Sequence, residues 1–274
     1  MKLIESEVII KEQEPGIDGI YKQIEWAGRH CYKSHDKITD DSAKEFVDRM
    51  IKSKHGAMLE HGTVYLKLEG INKSWEYYHA QEYLENNYSK VVIEREGIDS
   101  ADWCEFYITT NLRVLIENNW LDDLEYICEP TEHHEKRITA RFTCNRGVSH
   151  EIVRHRVMSF AQESQRYVGY DKEKFGGEVT FIKPHWYNEE FPACLTWIES
   201  LKRSEKEYLD LREMGLKPQD ARDVLPNATK TEVVVTGFES DWAHFFELRT
   251  AGAAHPDMRK LALELQEKLN SVNK

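Results

Sequence analysis

The stretch Glu151-Ile152-Val153-Arg154-His155-Arg156-Val157-Met158-Ser159-Phe160-Ala161-Gln162-Glu163-Ser164-Gln165-Arg166-Tyr167 sets three arginines and a histidine among amide, carboxylate and hydroxyl side chains. Arginine presents a planar fork of donors that suits phosphate, and it stays charged near neutral pH. Backbone N–H groups around Gln162–Arg166 would add anion contacts if they form a nest. The stretch therefore reads as a site for a phosphorylated ligand bearing a planar ring. For a bare Arg-x-Arg pair the alternative is a solvated face of ion pairs, each contributing little.

Working outward, Ile138, Ala140, Phe142 and Cys144 alternate with polar neighbours as a strand does, and Ser149 is placed to cap a helix through Glu151 and Val153. Ser42-Ala43-Lys44-Glu45 reads as a capping box, with Phe46, Val47, Met50 and Ile51 at helical spacing and an end near His55-Gly56. Val64, Leu66 and Leu68 mark a further strand. From about 72 to 136 the chain turns aromatic, charged and helix-like, with Leu121, Leu124 and Ile127 three apart. That segment reads as a helical insertion interrupting a strand pair.

Downstream, Phe191 to Met214 reads as a long helix stopped at Gly215, and Pro218 opens a short one. Val233, Val234 and Val235 mark a strand, and Asp241 can cap a helix towards Leu248. Pro256 opens a last helix with Leu261, Leu265 and Leu269 on one face. Strands and helices mix without regular βαβ alternation, so the expected class is α+β, a central mostly antiparallel sheet flanked by helices. A single domain is expected over 1–274, with the insertion at about 72–136.

Composition narrows the function. Five scattered cysteines without a C-x-x-C pair read as buried free thiols, not as a disulfide framework or zinc site. A formal charge of −12 and the lack of an RRM or KH signature argue against a nucleic-acid partner. Positive charge must then be focused locally around the arginines. No apolar run reaches membrane length and the N-terminus lacks a signal-peptide pattern, so a cytoplasmic protein is expected. There is no G-x-G-x-x-G or G-K-[ST] loop, so any nucleotide cofactor must be held another way. His150 and His155, and His133 and His134, lack helical metal-ligand spacing, and no metal is expected.

Arg154-His155-Arg156, seven residues and then Ser164 resembles the signature of flavin-dependent thymidylate synthases, and Arg166-Tyr167 fits it. Other segments agree in order: Ala27-Gly28-Arg29-His30-Cys31, His55 through Glu60-His61, Arg222-Asp223-Val224-Leu225-Pro226, and His244 through Arg249. The resemblance implies reductive methylation of dUMP to dTMP, with methylenetetrahydrofolate giving carbon, NADPH giving hydride and FAD relaying it. Carried over, the dUMP set is Glu151, Arg154, Gln162, Glu163, Ser164, Gln165, Arg166, Arg222 and Arg249. The FAD set is Cys31, His55, Arg154, His155, Arg156, Gln162 and His244. Arg249 is the expected catalytic residue, beside the uracil ring. Ser164 invites a nucleophile reading, but a role in binding dUMP is favoured. The family assembles as homotetramers with shared active sites, and the same is expected here.

Two departures stand out. Many relatives carry an asparagine and an arginine after the late strand, where Thr236–Asp241 has neither, and a polar residue where Ala161 stands. The alternative reading is a flavin-independent nucleotide-binding enzyme or module using the same arginines.

Overall fold

A computed structural model describes residues 1–96, 103–166, 169–172 and 176–272. The central sheet has four strands in the order β2-β6-β9-β7: β2 (Glu7–Lys11), β6 (Arg137–Asn145), β9 (Lys230–Phe238) and β7 (Ser159–Gln162). Every neighbouring pair in it is antiparallel. A second sheet has three antiparallel strands, β3 (Thr63–Ile71), β5 (Trp103–Asn111) and β4 (Lys90–Glu96), with β5 in the middle. Two short parallel strands, β1 (Lys2–Ile4) and β8 (Thr180–Ile182), complete the set.

The central sheet is covered on both faces, which explains three consecutive valines in β9. Val233 and Val235 point one way, into a core with Phe142 and with Trp242 and Phe245 of α9 (Glu239–Arg249). Met258, Leu261 and Leu265 of α10 (Pro256–Val272) close that side. Val234 and Ala161 point the other way, into a core shared with α1 (Gly16–Tyr32), α2 (Ser42–Lys52), α3 (Gly56–Leu59) and the second sheet. Period-2 alternation puts successive residues on opposite faces, and here both faces are apolar.

The 72–136 segment is helical only in part. It supplies α4 (Trp75–Leu84), α5 (Leu112–Asn118) and a 3-10 stretch over Leu121–Tyr126, but also β4 and β5. The strands read at 64–68 and 138–144 do not pair with each other. β3 pairs β5 from Thr63↔Asn111 to Ile71↔Trp103, whereas β6 lies between β2 and β9. Aromatic and charged residues in β4 and β5 masked the alternation, because the segment is amphipathic in either geometry. Phe106 and Ile108 of β5 are fully buried in the shared core.

Two caps differ from expectation. Helix α2 starts at Ser42 itself, whose hydroxyl bonds Glu25 and the Thr39 backbone and caps nothing. Helix α6 (Arg146–Ile152) is capped by Asn145, which accepts from the Val148 N–H at 2.8 Å, so Ser149 lies inside it. Further along, α7 (Pro192–Glu213), α8 (Pro218–Ala221), β9 and α10 fall where expected, and Asp241 accepts from the Phe238 N–H at 3.1 Å. No helix among the described residues is long and apolar enough to cross a membrane.

Candidate active site

Two helix ends meet at the back of the arginine stretch. The last turn of α6 presents Glu151, and α9 ends in Arg249. Arg249 donates from Nη1 to Glu151 Oε2 at 2.6 Å, from Nη2 to the Glu151 carbonyl at 3.1 Å, and from Nε to His155 Nε2 at 2.8 Å. A guanidinium can only donate, so His155 Nε2 must be an acceptor and the ring proton sits on Nδ1. Burial, followed by the charge of Arg249 and the neighbouring His244, pushes His155 down to about 4. The ring therefore stays neutral across the physiological range. Phe245 meets it edge-on with centroids 4.9 Å apart, and the exposed His244 lies at 6.3 Å.

Arg154 and Arg156 flank the buried His155 and are both exposed. Glu151, Arg154, His155, Arg156, His244 and Arg249 are thus gathered at one place. A cavity of about 320 Å³ opens beside Glu151, walled in part by Asn145, Trp186, Trp197 and Asp257. That volume lies at the small end of the range for small-molecule pockets.

The loop after β7 carries the remaining motif residues. Gln162 Nε2 donates to Ser149 Oγ at 2.9 Å and to Thr231 Oγ1 at 3.3 Å, which ties it to α6 and β9. Ser164 N–H donates to the Cys31 carbonyl at 3.1 Å, and Ser164 Oγ accepts from the Arg166 N–H at 3.3 Å. His155 Nε2 is already engaged by Arg249, so it is not available as a base for Ser164. Gln165 is buried and Arg166 exposed, while Glu163 turns inward onto two lysines. Tyr167 lies outside the described residues.

Arg222 is half-buried in the short turn after α8. Near it stands a residue the motif did not flag. Arg146 opens α6, and burial, with the Arg222 charge as a smaller cause, lowers its pKa. Two guanidiniums close enough to repel each other suit an anionic ligand. The signal was readable once Asn145 is taken as the cap: a positive charge in a first helical turn opposes the helix dipole.

Cys31 and His55 sit on the α1 and α3 side. Burial, then the Glu163 charge, raises the Cys31 thiol to about 11, so it is unreactive. His55 is exposed, with Tyr32 Oη 3.2 Å from its Nδ1, and α3 packs against β7. Neither residue is hydrogen-bonded to Arg154, His155, Arg156 or His244. Phe238, in the stretch that departs from the family pattern, is buried, and the guanidinium carbon of Arg137 lies 5.5 Å from its ring centroid. His61 is buried and bonded through Nδ1 to Thr236 Oγ1 at 2.8 Å, and its Nε2 has no hydrogen-bond partner among the described residues. His30, His35 and Glu232 bring possible ligand atoms within 4.8 Å of one another. Arg141 already donates to His30 Nε2 at 2.9 Å, and Lys230 bonds Glu232 Oε1.

Residues 126–273 match the family described as thymidylate synthase complementing protein, and that is more than half of the chain. The chain belongs to this family. Within the thymidylate synthase complementing proteins it is similar to the flavin-dependent thymidylate synthase of Thermococcus kodakarensis, 36% identical over 126 residues, or 46% of this chain and 51% of that one. The enzyme of the same name from Mycobacterium tuberculosis is 35% identical over 137 residues, 47% of this chain and 55% of that one. The chain spans about half the length of the curated relatives it matches. Among solved structures it is similar to the UMP/dUMP methylase PolB from Streptomyces cacaoi bound with 5-Br dUMP, at 16% identity and a TM-score of 0.46, covering 99% of this chain and 93% of that one. The family match begins at Tyr126, so Cys31 and His55 lie outside it, whereas every other expected site residue lies inside.

Proposed function

We propose that this chain is a flavin-dependent thymidylate synthase, converting dUMP to dTMP with methylenetetrahydrofolate as carbon donor and NADPH as hydride source. The observation that carries the reading is the Arg249 fork, fixed by Glu151 and a neutral His155 inside the matched segment. Three of the fork's five N–H donors are engaged, which leaves one on each Nη for a ligand. Beside a pyrimidine such a guanidinium favours loss of the N3 proton and raises electron density at the carbon that accepts the methylene. Such preorganised donors act most strongly in a site from which water is excluded, and removing one typically costs about 3–4 kcal/mol of barrier.

The donor set also fits a flavin dinucleotide. Arg154 and Arg156 offer exposed guanidiniums for its phosphates, and His155, His244, Cys31, His55 and Gln162 offer ring and amide contacts. Bound FAD supplies hydride transfer, and the protein supplies position and charge. Glu151, Arg154, Gln162, Ser164, Gln165, Arg166 and Arg222 would hold dUMP, with Arg146 joining Arg222 at the phosphate. A homotetramer with shared active sites is part of the same reading, and sedimentation velocity measures it.

The test is an anaerobic assay with dUMP, methylenetetrahydrofolate, NADPH and FAD. FAD-dependent dTMP formation that falls by a hundredfold or more in Arg249→Ala supports the reading. A colourless protein that makes no dTMP with added FAD, yet binds dUMP, would leave a flavin-independent nucleotide enzyme in its place.

A further inference from the structure

Glu163 lies in the middle of the expected nucleotide loop, yet its carboxylate faces the protein interior. Lys230 Nζ donates to Oε2 at 2.9 Å, and Lys33 Nζ lies 3.0 Å from Oε1 as an ion pair without hydrogen-bond geometry, so each oxygen faces an ammonium. The Glu163 side chain is 1% exposed, Lys230 9% and Lys33 22%. Lys230 also bonds Glu232, and the Glu163 N–H donates to the Glu232 carbonyl at 2.8 Å.

These partners come from three separate elements. Lys33 caps the C-terminus of α1 in a left-handed conformation at φ 45°, and Lys230 is the first residue of β9. Glu163 follows directly on β7. One residue past it, Ser164 is held by the Cys31 carbonyl, two residues before Lys33. A single carboxylate therefore fixes where the Gln162–Arg166 loop leaves the sheet. A buried charge cluster of this kind adds little net stability for its desolvation, but it permits few alternative geometries.

We propose that Glu163 is a positioning residue: clamped by Lys33 and Lys230, it sets the Gln162–Arg166 loop for nucleotide binding and does not itself touch the nucleotide. This rests on the thymidylate synthase reading, and the two can fail separately.

The experiment is calorimetric titration of dUMP into the FAD-loaded protein, with steady-state kinetics alongside, for wild type, Glu163→Gln, Lys33→Met and the double variant. Glu163→Gln is expected to raise the dUMP Kd and KM at least tenfold while kcat at saturating dUMP stays within threefold. Lys33→Met weakens dUMP similarly, and the double variant is no weaker than Glu163→Gln, because Lys33 acts through Glu163. Multiplying effects in the double variant would mean that Lys33 meets the nucleotide directly, and would overturn the role. A wild-type Kd in Glu163→Gln would overturn it too. Lys33 is the most exposed of the three, so should Glu163→Gln not fold, a wild-type Kd in Lys33→Met overturns the role equally. Wild-type protein that binds no dUMP would overturn the thymidylate synthase reading, and this role with it.

Discussion

Arg249 and His155 share a hydrogen bond from Nε to Nε2 at 2.8 Å, although they are 94 residues apart in the chain. The bond exists only while the imidazole is neutral, and burial with the adjacent guanidinium keeps it neutral down to about pH 4. His155→Gln retains an acceptor for Nε, whereas His155→Phe leaves that donor partly buried and unpaired. A lost partner of this kind costs roughly 1–3 kcal/mol. The expected result is a tenfold to hundredfold loss of kcat in the Phe variant and a smaller one in the Gln variant. Equal losses in both would mean that Nε pairing does not orient Arg249.

Buried histidines contribute to the acid limit of the fold. Burial is the main cause in each case, pushing His155 and His30 down to about 4 and His61 to about 3. Their folded values lie below the unfolded one, so between about pH 6.5 and 4 the unfolded chain binds more protons. Stability therefore rises with pH across that window and falls on acidification, by up to about 1.4 kcal/mol per pH unit for each proton taken up. His79 has the opposite sign. Its bond to Asp123 raises its pKa, so its contribution is lost as pH rises above the unfolded value. Urea titrations at a series of pH values measure both, and His61→Gln should flatten the acid limb by about one proton. An unchanged limb would place the uptake elsewhere.

Strands β6 and β9 and the late helices were legible in sequence because their signals are local: an alternating run, three valines, two prolines and a glycine stop. The Arg249 end of the site was legible through motif order. The Glu163 clamp was not, because Lys33 and Lys230 lie 130 and 67 residues away along the chain and a glutamate in a polar run carries no mark of burial. Strands β4 and β5 were missed for a different reason. Their charged residues, Lys90, Glu94, Arg95, Glu96 and Glu105, fit a half-buried strand as well as an exposed helix.

That missed sheet gives the 72–136 segment a structural role. Phe106 is fully buried in the core shared with α1, α2 and α3. Phe106→Ala should destabilise by about 3–5 kcal/mol, the usual range for an aromatic lost from a packed core. Chemical denaturation measures it. A loss below about 1 kcal/mol would mean that the segment contributes little to that core.

Gly28 tests how packing reaches the site. It lies on α1 three residues before Cys31, and a Cβ built there would stand 2.3 Å from Cζ of Phe46 on α2. Phe46 is 1% exposed, and its ring is flanked by the guanidinium carbons of Arg29 at 4.9 Å and Arg49 at 5.1 Å, so it has little room to yield. Gly28→Ala improves helix propensity by about 1 kcal/mol, yet overpacking of this kind costs roughly 1–3 kcal/mol. The clash is with a buried ring near two guanidiniums, so the upper part of that range applies and net destabilisation is expected. The displacement also has a direction: pushing α1 from α2 moves the Cys31 carbonyl that holds Ser164. Gly28→Ala should therefore lower the thermal midpoint and weaken dUMP binding together. A lower midpoint with unchanged dUMP affinity would show that the C-terminus of α1 does not fix the loop.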